Sequence, residues 1–143
     1  MSSVADTSFV VALLNPRDRH HDAVARVALE LREQPWLPTP ALTEIAYVLQ
    51  ARSGPDLVRR FLERLNHSAA GLALLDPLAQ DYSRCEQILR QYGDGGLDFV
   101  DAITLAVAER LNVDSILTLD RRHFGPARQG LGLRARLLPD GVG

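Results

Sequence analysis

Asp6, Glu44, Asp98, Asp101 and Asp120 are the residues of this chain whose type and spacing could do chemistry. Asp6 follows the apolar Val4 and Ala5, Asp120 closes the run SILTLD, and Asp101 sits early in the helical pattern DFVDAITLAVAERL. Carboxylates held ~5 Å apart repel by roughly 3 kcal/mol at an effective dielectric of ~20, so three or four facing one point need a cation. Their oxygens are hard ligands. With neither a cysteine cluster nor His-x-x-x-His spacing, the pattern points to Mg²⁺ or Mn²⁺ rather than zinc. Asp101 shares its helix face with Thr104, Leu105 and Ala108, and no nearby basic residue pairs with it, so a divalent cation would supply the partner. Glu44 points away from the apolar stripe of its helix, where a solvated glutamate would give the same pattern. Asp98 reads first as the cap of the helix starting at Phe99, with a place in the metal site left open. Asp6 and Asp120 could each, taken singly, be only an N-cap and a turn former.

The elements that must position these groups alternate short strands with helices. Val4-Ala5 leads to a helix over Phe9 to Leu14, and a second helix runs from His20 to Glu33 before a strand at Trp36 to Pro38. Leu42, Ile45, Ala46 and Leu49 mark a third helix, stopped by Ser53-Gly54-Pro55. Leu57, Val58, Phe61, Leu62 and Leu65 mark a fourth, whose other side carries Arg59, Arg60 and Arg64, read as a solvated face. A strand over Gly71 to Leu75, a helix from Pro77 to about Tyr92, a flexible loop to Gly96, the helix Phe99 to Leu111, the strand Ser115 to Leu119 and a tail strand near Leu137 complete the reading. Such alternation predicts a three-layer α/β fold with a central parallel sheet, one domain over residues 1–143. Ligands of such sheets bind beyond the carboxyl ends of the strands, the rim where Asp6 and Asp120 fall.

Composition narrows the classes. The chain has 143 residues, 46% of them apolar, and a net charge of −2, which gives no overall basic field. All 16 basic residues are arginine. The absence of lysine excludes a P-loop, a phospho-acceptor receiver and Schiff-base chemistry. No apolar run approaches the ~20 residues of a membrane span and no signal pattern opens the chain, so a cytoplasmic protein is expected. Cys85 cannot form an internal disulfide and shares a helical stripe with Leu78, Tyr82 and Leu89, which reads as core. His20 and His21 read as surface residues and His67 as a loop residue. Arg121, Arg122 and His123, beside Asp120, could hold phosphate at the metal rim.

DTS after the first strand, TE in the third helix, DAITLAVAERL and ILTLDRRHF, in this order, resemble the PIN-domain ribonucleases and, within them, the VapC toxins of toxin-antitoxin pairs. The resemblance spans nearly the whole chain. It implies a metal-dependent endoribonuclease with Asp6, Glu44, Asp101 and Asp120 as its acidic pocket, Mg²⁺ or Mn²⁺ as cofactor, and Asp98 as an accessory. Thr7, Ser8 and Thr118 would orient carboxylates or water. It also implies cleavage leaving a 5′ phosphate and a 3′ hydroxyl in structured RNA such as tRNA or a ribosomal RNA loop, a homodimer, and a VapB-like antitoxin partner. Ser2-Ser3 before Val4 departs from the more apolar start usual in the family. The alternatives are a PIN nuclease of RNA processing or DNA flaps, and a noncatalytic PIN binding module.

Overall fold

A computed structural model describes residues 2–66 and 71–141, so the expectation for His67 lies outside the described residues. Five short strands, β1 (Ser3–Ala5), β2 (Trp36–Pro38), β3 (Ala73–Leu75), β4 (Ser115–Leu117) and β5 (Arg136–Leu138), form one sheet in the order β3-β2-β1-β4-β5. Every pairing is parallel, with Val4 opposite Ile116 and Ala5 opposite Leu117 at the centre. Seven helices accompany it: α1 (Thr7–Leu14), α2 (His21–Glu30), α3 (Ala41–Ser53), α4 (Pro55–Asn66), α5 (Ala79–Tyr92), α6 (Phe99–Leu111) and α7 (Arg121–Leu131).

The two-residue period of a strand splits the core into two layers. Val4, Ile116 and Leu137 face one cluster with Ile88, Ile103 and Phe124, drawn from α5, α6 and α7. Ala5, Leu37 and Leu117 face the other, with Phe9, Ile45 and Phe61 from α1, α3 and α4. This is the expected three-layer arrangement, with the sheet buried on both faces. Ser3 does not interrupt it, because β1 begins at that residue and buries it.

The helix that carries Asp101 is fixed most firmly. Every residue of α6 from Ala102 to Ala108 is buried, and Asn112 closes it in the left-handed conformation that asparagine tolerates. Two ion pairs tie α6 to α5, Arg110 to Asp81 and Arg84 to Glu109, both at 2.8 Å. Burial alone would raise the Asp81 carboxyl, but the Arg110 guanidinium and the Leu78 N–H outweigh it and hold it below the ordinary carboxylate range.

Several expected boundaries move. A short 3₁₀ turn at Gly93–Gly95 replaces the expected flexible loop. The sequence reading places no helix between Asp120 and the tail strand; α7 forms there despite Gly125, Pro126 and Gly130, capped by Asp120 at one end and Gly132 at the other. Cys85 is core, as expected, yet Leu78 and Tyr82 of its stripe stand out in solvent.

Candidate functional site

β1 and β4 lie side by side at the middle of the sheet, and the chain continues from β1 toward β2 on the opposite side. This is a switch point, where the helices following two neighbouring strands diverge and leave a crevice. Asp6 and Asp120, just past the carboxyl ends of those strands, stand at its mouth. A cleft of about 420 Å³ opens there, lined by Asp6, Asp18, Glu44, Asp98, Asp101 and Asp120 together with Arg52 and His123. All five carboxylates picked out from the sequence are therefore brought to one place.

Asp6 is the most tightly held. Its Oδ2 accepts from Ser8 Oγ at 2.8 Å, from Thr118 Oγ1 at 2.9 Å and from the Ser8 N–H at 3.4 Å. These bonds use one carboxylate oxygen and orient the group that lines the cleft. The Asp6 carboxyl is raised above the ordinary range because burial outweighs those donors. Thr118 Oγ1 also accepts from the Asp120 N–H at 3.0 Å, and Ser8 Oγ from the Leu119 N–H at 2.9 Å. Two hydroxyls thus lock the end of β4 to the start of α1. Ser8 and Thr118 both donate to the Asp6 carboxylate. Thr7 does not: its Oγ1 is buried beside the cleft with no hydrogen-bond partner among the described residues.

Asp98 and Asp101 form a reciprocal capping box, the Asp101 N–H to Asp98 Oδ1 at 2.9 Å and the Asp98 N–H to Asp101 Oδ2 at 3.1 Å. Asp98 is thus the cap expected of it. Burial pushes the Asp101 carboxyl up to about 8; the Asp98 N–H opposes this, and the negative charges of Asp6 and Asp98 add to it. Among the described residues no arginine is ion-paired with Asp101, whose hydrogen bonds run to Asp98. Asp120 accepts from the His123 N–H at 3.2 Å and lies 2.8 Å from His123 Nδ1, so His123 is engaged by this carboxylate.

Of the residues expected to hold phosphate, only His123 lines the cleft. Arg121 turns away, donating from Nη2 to the carbonyls of Leu137 at 2.6 Å and Pro139 at 2.7 Å, so it clamps the chain after β5. Arg122 is exposed outside the cleft. Sequence reasoning missed Arg52 and Asp18. Arg52 could have been found, since Glu44, Val48 and Arg52 recur every four residues on one face of α3. Asp18 lies in the irregular segment before α2 and gives no periodic signal.

The donor set is carboxylate oxygen with a single imidazole, which suits a hard divalent cation. Among the described residues no three carboxylate, imidazole or thiol groups are drawn into a ready coordination shell. Mg²⁺ accommodates this, because it keeps several waters and takes only one or two protein carboxylates directly.

The parallel α/β sheet carries an acidic crevice at its switch point, and the PIN domain family model matches residues 3–128 of this chain. The chain belongs to the PIN domain family. It is 28% identical over 136 residues to Ribonuclease VapC26 of Mycobacterium tuberculosis, covering 95% of this chain and 99% of that protein. Its fold is similar to that of Mycobacterium tuberculosis VapC20, described as a Sarcin-Ricin loop cleaving toxin, with TM-score 0.70 and 23% identity over 80% of this chain and 86% of the other. It is also similar to a chain of Rickettsia felis VapBC2 bound to a promoter DNA fragment, with TM-score 0.68 and 13% identity over 96% and 97% of the two chains.

Proposed function

We propose that this protein is a metal-dependent endoribonuclease of the VapC toxin kind, cleaving structured RNA such as a tRNA or a ribosomal RNA loop. The observation that carries the reading is the convergence of Asp6, Glu44, Asp101 and Asp120 on one cleft, where burial and like charges raise the Asp101 carboxyl to about 8. Full-length similarity to a protein named as a ribonuclease supports it.

When bound, Mg²⁺ or Mn²⁺ supplies charge neutralisation and Lewis acidity toward a phosphodiester. The chain's own residues do the positioning. Asp6 presents a carboxylate whose orientation is set by Ser8 and Thr118, Asp101 one set by the Asp98 cap, and Asp120 one set by His123. Glu44 completes the ring from α3. A phosphodiester seated between them is attacked in line by water, giving a 5′ phosphate and a 3′ hydroxyl.

Gly96 bears on this geometry. It adopts φ +97°, and a Cβ there would meet His123 Nε2 at 2.7 Å. Gly96→Ala is therefore expected to push His123 off Asp120, lowering Tm by roughly 3–6 °C for a cost of ~1–2 kcal/mol. Cleavage should drop about tenfold in the same variant. Melting curves and RNA cleavage measured side by side check it, and an unchanged rate would show that the His123–Asp120 bond is dispensable.

The protein acts in the cytoplasm as a homodimer silenced by a VapB-like antitoxin. No described helix is long and apolar enough to cross a membrane. A second cleft of about 490 Å³, lined by Phe9, Leu13, Ala25, Ala28, Leu29 and Leu72 among others, offers an apolar seat for the antitoxin. Most apolar side chains of α1, and Leu57 and Phe61 of α4, are consumed by the core, whereas Leu29 on α2 stands 86% exposed at that cleft.

The test is incubation of the purified protein with total RNA, with and without Mn²⁺ or Mg²⁺, beside Asp101→Asn, followed by mapping of new 5′ ends. Discrete metal-dependent cuts absent from the variant support the reading. RNA left intact while a DNA flap is cut, or no metal binding by calorimetry, would replace it.

A further inference from the structure

The ionisable lining of the cleft is six carboxyl groups against Arg52 and His123, yet its proposed substrate is a polyanion. Cations compensating the central carboxylates leave the flanking phosphates of the strand without a partner. Among the described residues lining the cleft, Arg52 is the sole guanidinium. Arg121 is spent on the carbonyls of Leu137 and Pro139, and His123 on Asp120.

Arg52 is held, but loosely. Its Nη1 lies 4.0 Å from Asp18 Oδ2, with the arginine side chain 59% exposed and the aspartate 16% exposed. Asp18 is the fixed member. Its Oδ1 accepts from the His20 N–H at 2.8 Å, its own N–H donates to the Asn15 carbonyl, and its carbonyl accepts from the His21 N–H. His21 Nδ1 in turn lies 2.8 Å from the Ala12 carbonyl, pinning the segment to α1. A carboxylate held by backbone hydrogen bonds thus meets an exposed guanidinium at the rim, two helical turns from Glu44 on the same face of α3. An ion pair this long and exposed contributes little, whereas a phosphate offers a guanidinium two parallel charge-assisted bonds.

We propose that Arg52 is a substrate-binding residue: its guanidinium leaves Asp18 to grip an RNA phosphate adjoining the scissile one, and Asp18 holds it ready between turnovers. This rests on the ribonuclease reading above and adds to it the contact that orients the strand across the acidic cleft.

The experiment separates binding from cleavage. In the Asp101→Asn background, a fluorescein-labelled pool of random-sequence RNA hairpins is titrated by anisotropy in Mg²⁺ at several salt concentrations. Adding Arg52→Gln should weaken binding about tenfold and flatten the slope of log affinity against log salt by about 0.7–0.9, the share of one phosphate contact. Arg52→Lys should keep the slope and recover only part of the affinity. In the active protein on the same pool, Arg52→Gln should raise KM about tenfold with kcat within ~3-fold. Asp18→Asn, whose amide oxygen can still accept from the His20 N–H, should bind RNA at least as well as its parent. The inference is overturned if Arg52→Gln keeps parental affinity and slope, or if Asp18→Asn weakens binding as much as Arg52→Gln does. Active wild-type enzyme with an indifferent Arg52→Gln sinks this inference alone; wild-type protein that cuts no RNA with either metal sinks the ribonuclease reading and this inference with it.

Discussion

Asp101→Asn is expected to lower RNA cleavage at least ~10³-fold while making the metal-free protein more stable at pH 8. Both effects come from one environment. Asparagine is nearly isosteric, and its side-chain oxygen can still accept from the Asp98 N–H that Asp101 Oδ2 accepts from at 3.1 Å. What disappears is a charge that the cleft needs when loaded and tolerates poorly when empty.

The sign follows from proton counting. Burial, together with the charges of Asp6 and Asp98, raises the folded Asp101 carboxyl to about 8, against an ordinary value of 3.8. Between those values the folded chain binds a proton that the unfolded chain has lost, so this group makes stability fall as pH rises through the window and level off above it. The metal-free wild type should therefore melt higher near pH 5 than at pH 8. Asp101→Asn, permanently neutral, should lose this group's share of the slope, the buried Asp6 carboxyl keeping its own, and exceed the wild type at pH 8 by on the order of 2–4 kcal/mol once solvent screening of a partly exposed group is allowed for. Divalent cation reverses the balance in the wild type, because binding displaces the proton; apparent affinity should rise with pH up to about 8. Thermal melts in chelator at pH 5 and pH 8, repeated with Mn²⁺, measure all of this. A variant that melts below the wild type at pH 8, or one that still cuts RNA, would remove Asp101 from the role given to it.

How much of this was legible in the sequence depends on whether a feature is local. The strands β1 and β4 and the helix α6 announce themselves by apolar runs and periodicity, and the acidic residues beside them inherit their position from the sheet. The helix α7 was not legible, since Gly125, Pro126 and Gly130 argue against a helix while the burial of Phe124 and Ala127 decides for it. The direction of a long side chain is equally hidden. Arg121 and His123 stand two residues apart after the same strand, yet one clamps the chain beyond β5 and the other meets Asp120 in the cleft. On a helix, residues two apart do not share a face, and only the capped start of α7 fixes which of the pair looks inward. Asp18 is a product of tertiary structure alone, brought to the cleft by a segment with no period of its own.

Thr118 offers the sharpest separation of scaffold from site. Its side chain is wholly buried, and its Oγ1 donates to Asp6 Oδ2 at 2.9 Å while accepting from the Asp120 N–H at 3.0 Å. One hydroxyl therefore orients two of the four central carboxylate residues. Thr118→Val keeps the shape and removes these bonds together with the 3.3 Å contact to Ser8 Oγ, leaving a part-buried N–H unpaired and Asp6 with Ser8 as its remaining side-chain donor. The expected cost is ~2–3 kcal/mol, or roughly 5–10 °C in Tm. Losing an orienting hydrogen bond behind a ligand should also weaken Mn²⁺ binding about 10–100-fold, with cleavage falling in proportion at low metal. Saturating Mn²⁺ should then restore most of kcat, because the carboxylates themselves remain. Thr118→Ser retains the hydroxyl and loses one methyl, so it should cost ~1 kcal/mol and cleave nearly as the wild type does. Calorimetric Mn²⁺ titration and cleavage across a metal series distinguish the cases. If Thr118→Val lost stability yet kept its metal affinity and rate, the hydroxyl would serve only the fold, and the orientation of Asp6 would have to rest on Ser8 alone.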